Sequence, residues 1–206
     1  MKRKKYIFIG IIFLSLFYSK YAYSETITLD GYFNDWKDKP ILNDTIRDEL
    51  PRYDIVKMKW YVDTSKDRLY LFVKRKYSKN KWTFRIYFSS DIGIRILKVS
   101  YNPKNRFVNV KLYNEKNFYI WQAKGKWGDS KKQGKRLEFY VPLKYLVGST
   151  TSGYEVKLKI KSRFDNIPNK GMIVISTVNT YTSFILLIIV IFILTKITTF
   201  FNKENL

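Results

Sequence analysis

The side chains with which this chain could do chemistry are carboxylates, lysines and tyrosines, because the sequence contains no His and no Cys. Their absence excludes Ser-His-Asp and Cys-His nucleophiles, zinc sites built from His or thiolate, His-ligated haem and disulfide bonds. The acids are scattered over predicted turns and strand ends. Glycoside hydrolysis needs two carboxyl groups, and the sequence indicates no second acid that would act together with Glu138. We therefore expect no enzymatic activity.

Aromatic side chains are another source of function, since sugar sites commonly combine aromatic faces with a few polar groups. Trp127 lies among glycines and charged residues in the segment 124–130, where no strand alternation is predicted to bury it. If a sugar site exists, we expect Trp127, with Trp121 and Tyr119, to form its ligand-binding platform. The alternative is that this segment only covers the core. The other three tryptophans are predicted core residues: Trp36, Trp60 and Trp82.

Basic residues greatly outnumber acidic ones, with 39 Lys plus Arg against 17 Asp plus Glu and a formal net charge of +22. Rows of lysines on predicted strand faces would attract anionic cell-wall polymers or lipid headgroups. The alternative is that these rows are solvated strand faces without a specific ligand. We expect no nucleic acid partner. The predicted basic surface consists of Lys74, Arg75, Lys76, Lys157, Lys159 and Lys161.

Three acids near the start of the predicted domain belong first to a folding motif. Gly31 allows a tight turn, Asp35 can cap the chain and Trp36 can pack beneath it. The alternative is a structural calcium site formed by Asp30, Asp35 and Asp38, because Ca²⁺ prefers hard oxygen ligands. We expect no other cofactor.

The periodicity of the central region is that of β-strands. In residues 56–62, alternation places Val56, Met58, Trp60 and Val62 on one face. Residues 69–73, 82–88 and 155–161 show similar strand patterns, and residues 142–147 suit a single helical turn. Turn-forming residues separate the strands. We predict an all-β domain over 25–170, an antiparallel β-sandwich of jelly-roll type, with 171–180 as a linker or last strand.

The two ends of the chain carry targeting signals. Residues 1–24 combine a basic start with an apolar run and predict a secretory signal peptide, cleaved between Ser24 and Glu25. The alternative is an uncleaved anchor. Residues 181–201 carry one charge, Lys196, and as a helix they would span roughly 30 Å, which predicts a single transmembrane helix. Residues 202–206 would then be a short cytoplasmic tail, and the main domain would be extracellular at the cell membrane.

The order of several short motifs resembles that of a known family. The chain has Ile27-Thr-Leu-Asp-Gly-Tyr-Phe-Asn-Asp-Trp36, then Asp67-Arg-Leu-Tyr-Leu-Phe-Val73, and later Arg136-Leu-Glu-Phe-Tyr-Val-Pro-Leu143. This order resembles family 9 carbohydrate-binding modules and the related DOMON-like β-sandwiches. Together with its C-terminal segment, the chain is also similar to secreted Firmicutes surface proteins that carry a sorting or anchor segment.

These resemblances imply a membrane-anchored extracellular module that binds a glycan or cell-wall polymer without catalysing a reaction. The alternative is a surface adhesion or assembly protein that uses its basic face on anionic wall polymers or on a partner protein. The sequence leaves the oligomeric state open.

Overall fold

A computed structural model of the chain describes residues 26–44, 54–76, 81–101, 107–128, 136–148, 154–162, 165–177 and the single residue Ile191. The predicted signal peptide, with its cleavage point between Ser24 and Glu25, lies outside these residues. So does the predicted membrane helix at 181–201, apart from Ile191, and the tail that follows it. Within the described ranges, no helix is long and apolar enough to cross a membrane.

The described residues form an all-β fold of antiparallel strands, which confirms the predicted fold class at this level. Two short 3-10 turns, Asn34–Trp36 and Leu143–Tyr145, accompany the strands, and the second falls within the predicted helical turn. The strands are β1 (Ile41–Asn43), β2 (Ile55–Asp63), β3 (Arg68–Arg75), β4 (Trp82–Ser90), β5 (Gly93–Tyr101), β6 (Phe107–Asn114), β7 (Tyr119–Trp127), β8 (Arg136–Pro142), β9 (Tyr154–Lys161), β10 (Asn166–Ile167) and β11 (Ile173–Thr177).

All eleven strands belong to one sheet, in the order β1-β2-β3-β8-β7-β6-β5-β4-β9-β10, and β11 pairs with β9. The sheet is curled, because strands far apart in this order touch across its interior. The rings of Phe84 in β4 and Phe139 in β8 have centroids 6.3 Å apart. The backbone N–H of Ile55 in β2 donates to Asp165 Oδ2, just before β10, over 2.6 Å.

Strand alternation fills the inside of the curl with apolar side chains. Met58, Leu71, Leu97, Leu112 and Leu158 are all fully buried there. Burying one such side chain contributes about 1.5–3 kcal/mol, so this inner face supplies the main driving force for folding. Of the residues predicted to face inward from 56–62, Met58 is fully buried, while the other three are half-buried.

A second, smaller core lies on the outer face of β2, β3 and β8. The N-terminal segment crosses this face and buries Trp36, whose ring lies 5.6 Å from that of Phe72. The Lys59 ammonium group donates to the backbone carbonyls of Trp36 and Lys37, which holds the segment down. The predicted core position of Trp36 is therefore confirmed. Trp82 is also buried, and Trp60 is half-buried against the inner core.

Candidate binding surface

Basic side chains follow the outer face of five neighbouring strands, β9, β4, β5, β6 and β7. In β9, Lys157, Lys159 and Lys161 alternate with the buried residues Val156, Leu158 and Ile160. The same period of two turns basic side chains outward from the next three strands. Each lies between two buried apolar neighbours, and these side chains are Arg85, Lys98 and Lys111.

The pairing register places four of these cations directly opposite one another. Lys161 pairs with Arg85, Arg85 with Lys98, and Lys98 with Lys111. Neighbouring strands lie about 4.8 Å apart, so this basic row is about 14 Å long. Like charges that face each other across strands destabilise a sheet. The four aligned cations therefore repel one another across the sheet.

Acidic side chains are missing from this part of the sheet. Strands β4, β5, β6 and β7 contain no Asp or Glu, and β9 contributes Glu155, which pairs with Lys157 at 3.4 Å. Lys124 of β7 and Lys159 of β9 extend the positive surface at its two sides. The positive potential of the row is therefore not neutralised by the strands that carry it.

A row of apolar and aromatic side chains runs beside the basic row on the same face. Tyr87 pairs with Ile96, Ile96 with Tyr113, and Tyr113 with Tyr119. The rings of Tyr113 and Tyr119 meet edge to face, with centroids 6.1 Å apart. The Lys161 ammonium group lies 5.3 Å from the Tyr87 ring centroid. A ligand on this surface would meet cations along one line and rings along the next.

Trp127 is not part of an exposed platform. Its side chain is 6% exposed, it ends β7 opposite Leu137, and its ring packs edge-on against Tyr101 with centroids 4.9 Å apart. The prediction that no strand buries Trp127 is wrong, because β7 continues through the glycine-containing segment to this residue. Trp121 is half-buried against the rings of Tyr140 and Tyr145, and Tyr119 is 54% exposed.

Arg75 is not part of a basic surface either. Only 1% of it is exposed, and its guanidinium carbon lies 4.8 Å and 4.7 Å from the ring centroids of Trp82 and Tyr101. Burial lowers the pKa of Arg75 to about 10, although its contact with Tyr101 opposes that shift. Its neighbours Lys74 and Lys76 are half-buried, and Lys76 pairs with Asp54 at 3.9 Å. The prediction of an exposed basic patch that includes Arg75 is therefore wrong.

The acidic motif near residue 30 is joined to β8 by Glu138. The backbone N–H of Gly31 donates to Glu138 Oε1 over 2.6 Å, and Trp36 Nε1 donates to Oε2 over 3.0 Å. Gly31 has φ 88°, and a Cβ atom there would lie 2.8 Å from the Gly128 carbonyl oxygen. Glycine is required at this point because the backbone turns left-handed in close contact with β7.

Glu138 is fully buried, and its pKa reflects this. Burial raises the pKa to about 7, with a further rise from the nearby charges of Asp35 and Asp30. The hydrogen bonds from Gly31 and Trp36 stabilise the ionised form and partly oppose the shift. This carboxyl group holds the fold together and faces no open cleft.

The carboxylates of the predicted calcium site serve local hydrogen bonds. Asp30 Oδ1 accepts from the backbone N–H of Tyr32, and Asp35 Oδ2 accepts from that of Thr28, each over 2.7 Å. Across the described part of the chain, no group of three acidic side chains is placed to hold a metal ion. The prediction of calcium at Asp30, Asp35 and Asp38 thus gains no support from the geometry.

Comparisons with protein-family models, with curated proteins and with solved structures give no significant match for this chain.

Sequence reasoning found the β9 lysines but missed the rest of the surface. The residues it did not identify are Arg85, Lys98, Lys111 and Lys124. The period-two alternation around Arg85, Lys98 and Lys111 was a usable signal, whereas Lys124 lies in a segment where lysines and glycine dilute it. The alignment of these residues into one row could not be predicted, because the register between strands is set by contacts distant in sequence.

Proposed function

We propose that this chain is a non-catalytic binding module that holds an anionic cell-wall polymer or anionic glycan on the outer face of its sheet. The observation that carries this proposal is the basic row, in which Lys161, Arg85, Lys98 and Lys111 face one another with no acid among the strands β4 to β7. A row that costs stability in isolation is explained if a ligand neutralises it.

The spacing of the row suits a polymer with one phosphate or carboxylate in each repeat. Cations recur about every 4.8 Å across the strands and about every 7 Å along β9. Each contact would release bound counterions and gain free energy from that release. The neighbouring row of Tyr87, Ile96 and Tyr113 would pack against the uncharged parts of a sugar or polyol backbone.

We further infer that the curled sheet is a β-sandwich, in which β2, β3 and β8 face β4, β5 and β9. The contact of Phe84 with Phe139 supports this layering. The resemblance to family 9 carbohydrate-binding modules gains support from Glu138, since it joins the Asp-Gly…Asp-Trp segment to the Glu-x-x-Val-Pro-Leu segment. In this proposal residues 1–24 direct secretion and residues 181–201 anchor the module in the cell membrane.

A second candidate ligand is a neutral glycan bound by a different set of rings. The ring centroid of Trp121 lies 5.4 Å from that of Tyr140 and 6.5 Å from that of Tyr145, and all three residues are half-buried. The Arg68 guanidinium carbon lies 4.3 Å from the Tyr140 centroid and adds hydrogen-bond donors nearby. Stacking of sugar rings on such aromatic faces is the usual mode of neutral glycan recognition.

The test compares two double variants of the full chain, kept soluble in detergent. Lys98→Gln/Lys111→Gln removes the centre of the basic row, and Lys37→Gln/Lys170→Gln removes two exposed lysines elsewhere. Binding to a purified anionic wall polymer and to a neutral polysaccharide is measured for each. We expect the first pair to weaken anionic polymer binding about tenfold or more, since each lysine contributes about 1 kcal/mol near an anionic surface.

Three results would contradict the proposal in different ways. Equal losses from both double variants would show that only net charge matters. Binding of the neutral polysaccharide, with loss in Trp121→Ala, would favour the second candidate. Absence of binding to both polymers, with capture of one defined protein partner through the basic row, would favour the adhesion alternative.

A further inference from the structure

The end of the sheet at which the described chain finishes also carries exposed apolar side chains. β11 ends at Thr177, which pairs with Tyr154 at the start of β9. Further along β9, Lys157 pairs with Ser89, near the end of β4. The register therefore places Thr177 at the same end of the sheet as the turn between β4 and β5, with β9 between them.

Two adjacent turns at this end expose large hydrophobic residues. Ile94 follows the β4–β5 turn and is 41% exposed, while Phe118 in the β6–β7 turn is 66% exposed. The two turns are neighbours because Arg95 pairs with Asn114. Tyr119, exposed like Phe118, follows it directly. These three side chains, Ile94, Phe118 and Tyr119, form what we call the apolar tip.

The β6–β7 turn presents Phe118 on a backbone held by hydrogen bonds within the turn. The N–H of Phe118 donates to Asn114 Oδ1 over 2.9 Å, and the N–H of Asn114 donates to the Phe118 carbonyl over 3.0 Å. Asn117 has φ 62°, which Asn tolerates better than most residues. These contacts fix the backbone of the turn at Phe118, whose side chain is exposed.

Charge at this end is mixed. Lys66, Lys116 and Lys144 are exposed here, but Asp91 and Glu115 are exposed here too. Any attraction of the apolar tip to a surface must therefore come from burial of its apolar and aromatic side chains. The methylene stems of the lysines can lie along the same surface while their ammonium groups stay in water. This combination of rings and lysines is typical of side chains that lie at a membrane–water interface.

We propose that the apolar tip rests in the headgroup region of the bilayer that residues 181–201 are expected to span. This inference relies on the anchoring part of the proposed function. From Thr177 to that segment the chain has only residues 178–180, so the end of the sheet that exposes Ile94, Phe118 and Tyr119 would face the membrane at short range. The outer faces of the strands would then stand away from the bilayer and leave the basic row accessible.

The experiment uses the full chain in lipid nanodiscs with a single fluorophore. The sequence contains no Cys, so Phe118→Cys gives one labelling site for an environment-sensitive dye. The matched control is Tyr32→Cys, because Tyr32 is 59% exposed and lies beside Gly31, which packs on Gly128 at the opposite end of β7. Both positions are read by quenching with aqueous iodide and with nitroxide-labelled lipid.

We expect iodide to quench the dye at 118 about threefold less than the dye at 32, and the lipid nitroxide to quench it more, since the tip lies in the interface. This pattern should persist in zwitterionic lipid and at high salt. Equal iodide quenching at both positions in chains that remain integral to the nanodisc would overturn the inference and leave the anchoring intact. Failure of the chain to integrate into the nanodisc would overturn both the membrane position of the apolar tip and the anchoring by residues 181–201. Binding through the basic row is tested separately by the polymer assay.

Discussion

Glu138 accepts hydrogen bonds from two donors that lie 107 and 102 positions earlier in the chain. It thereby fixes the N-terminal segment over the outer face of β2, β3 and β8, where Trp36 is buried. Burial makes this carboxyl group costly to ionise in spite of its two donors, and its pKa of about 7 expresses that cost.

The first prediction concerns the pH dependence of stability. Between the ordinary value of 4.5 and the folded value of about 7, the native state binds a proton at Glu138 that the unfolded state releases. The contribution of Glu138 is therefore full below pH 4.5, falls as pH rises towards 7, and is lost above it, by about 3 kcal/mol at most. Urea unfolding from pH 4.5 to 8 should show this fall in the native chain.

Glu138→Gln should abolish that pH-dependent part, because glutamine does not titrate. Glu155→Gln is the control, since Glu155 is exposed and pairs with Lys157. The interpretation fails if Glu138→Gln and the native chain lose the same free energy over this pH range.

The burial of Arg75 could not be predicted from its residue type. It stands between Lys74 and Lys76 in the sequence, and a run of three basic residues normally indicates a solvated strand end. The structure instead places its guanidinium against the rings of Trp82 and Tyr101, where cation–π attraction compensates for lost hydration. Its partners come from β4 and β5, so no pattern within β3 could reveal them.

At the scale of elements, β7 and β8 are joined by as few residue pairs as β9 and β10, the shortest pairings among the described strands. Two residue pairs join these strands, Lys126 with Glu138 and Trp127 with Leu137. Gly125 lies beside this connection, and a Cβ atom there would fall 2.3 Å from the Glu138 carbonyl oxygen and 2.7 Å from Phe139 Cβ. The strands come together only because residue 125 lacks a side chain.

The second prediction is that Gly125→Ala destabilises the fold by about 1–3 kcal/mol, because overpacking must push β7 away from β8. Gly171→Ala is the control, since its φ of 71° is strained for alanine but nothing lies within 4 Å of the added Cβ. Its cost should be about 1 kcal/mol, the penalty for a Cβ atom in the left-handed region. Thermal unfolding of both variants tests this. A smaller loss for Gly125→Ala than for Gly171→Ala would show that the connection is not tight.

Local alternation predicted some strands and missed others. The predicted strands at 56–62, 69–73, 82–88 and 155–161 lie within β2, β3, β4 and β9. The interpretation did not extend to β5, β6 and β7, and two of these carry Lys98 and Lys111. In β7, lysines and glycine dilute the apolar pattern, and burial of Trp127 depends on Tyr101 in another strand. Of the missed surface, the part in β7 depends on distant partners, whereas Lys98 and Lys111 lie between buried apolar neighbours in segments that do alternate.

At the scale of the whole molecule, one side of the sheet carries basic side chains that no acid of β4 to β7 offsets. The chain carries a net +22, and the strands from β4 to β7 contribute basic residues without a single acid. A polyanion would therefore be attracted from a distance comparable with the Debye length, about 8 Å at physiological salt. Such binding should weaken steeply as salt is added.

The third prediction concerns that salt dependence. For the native chain, the logarithm of the affinity for an anionic polymer should fall linearly with the logarithm of the salt concentration. Lys98→Gln/Lys111→Gln should reduce the slope by about two, one for each lost contact. Titrations at several salt concentrations provide the measurement. An unchanged slope in this double variant would place the polymer elsewhere on the molecule.

The pairing of β11 with β9 determines how the molecule would respond to mechanical force. Five residues of β11, from Ile173 to Thr177, pair with β9. Tension applied at Thr177 along the axis of β11 would load these hydrogen bonds together, in shear, because they lie perpendicular to the strand. Separating β11 from β9 would then require these hydrogen bonds to break together instead of one after another.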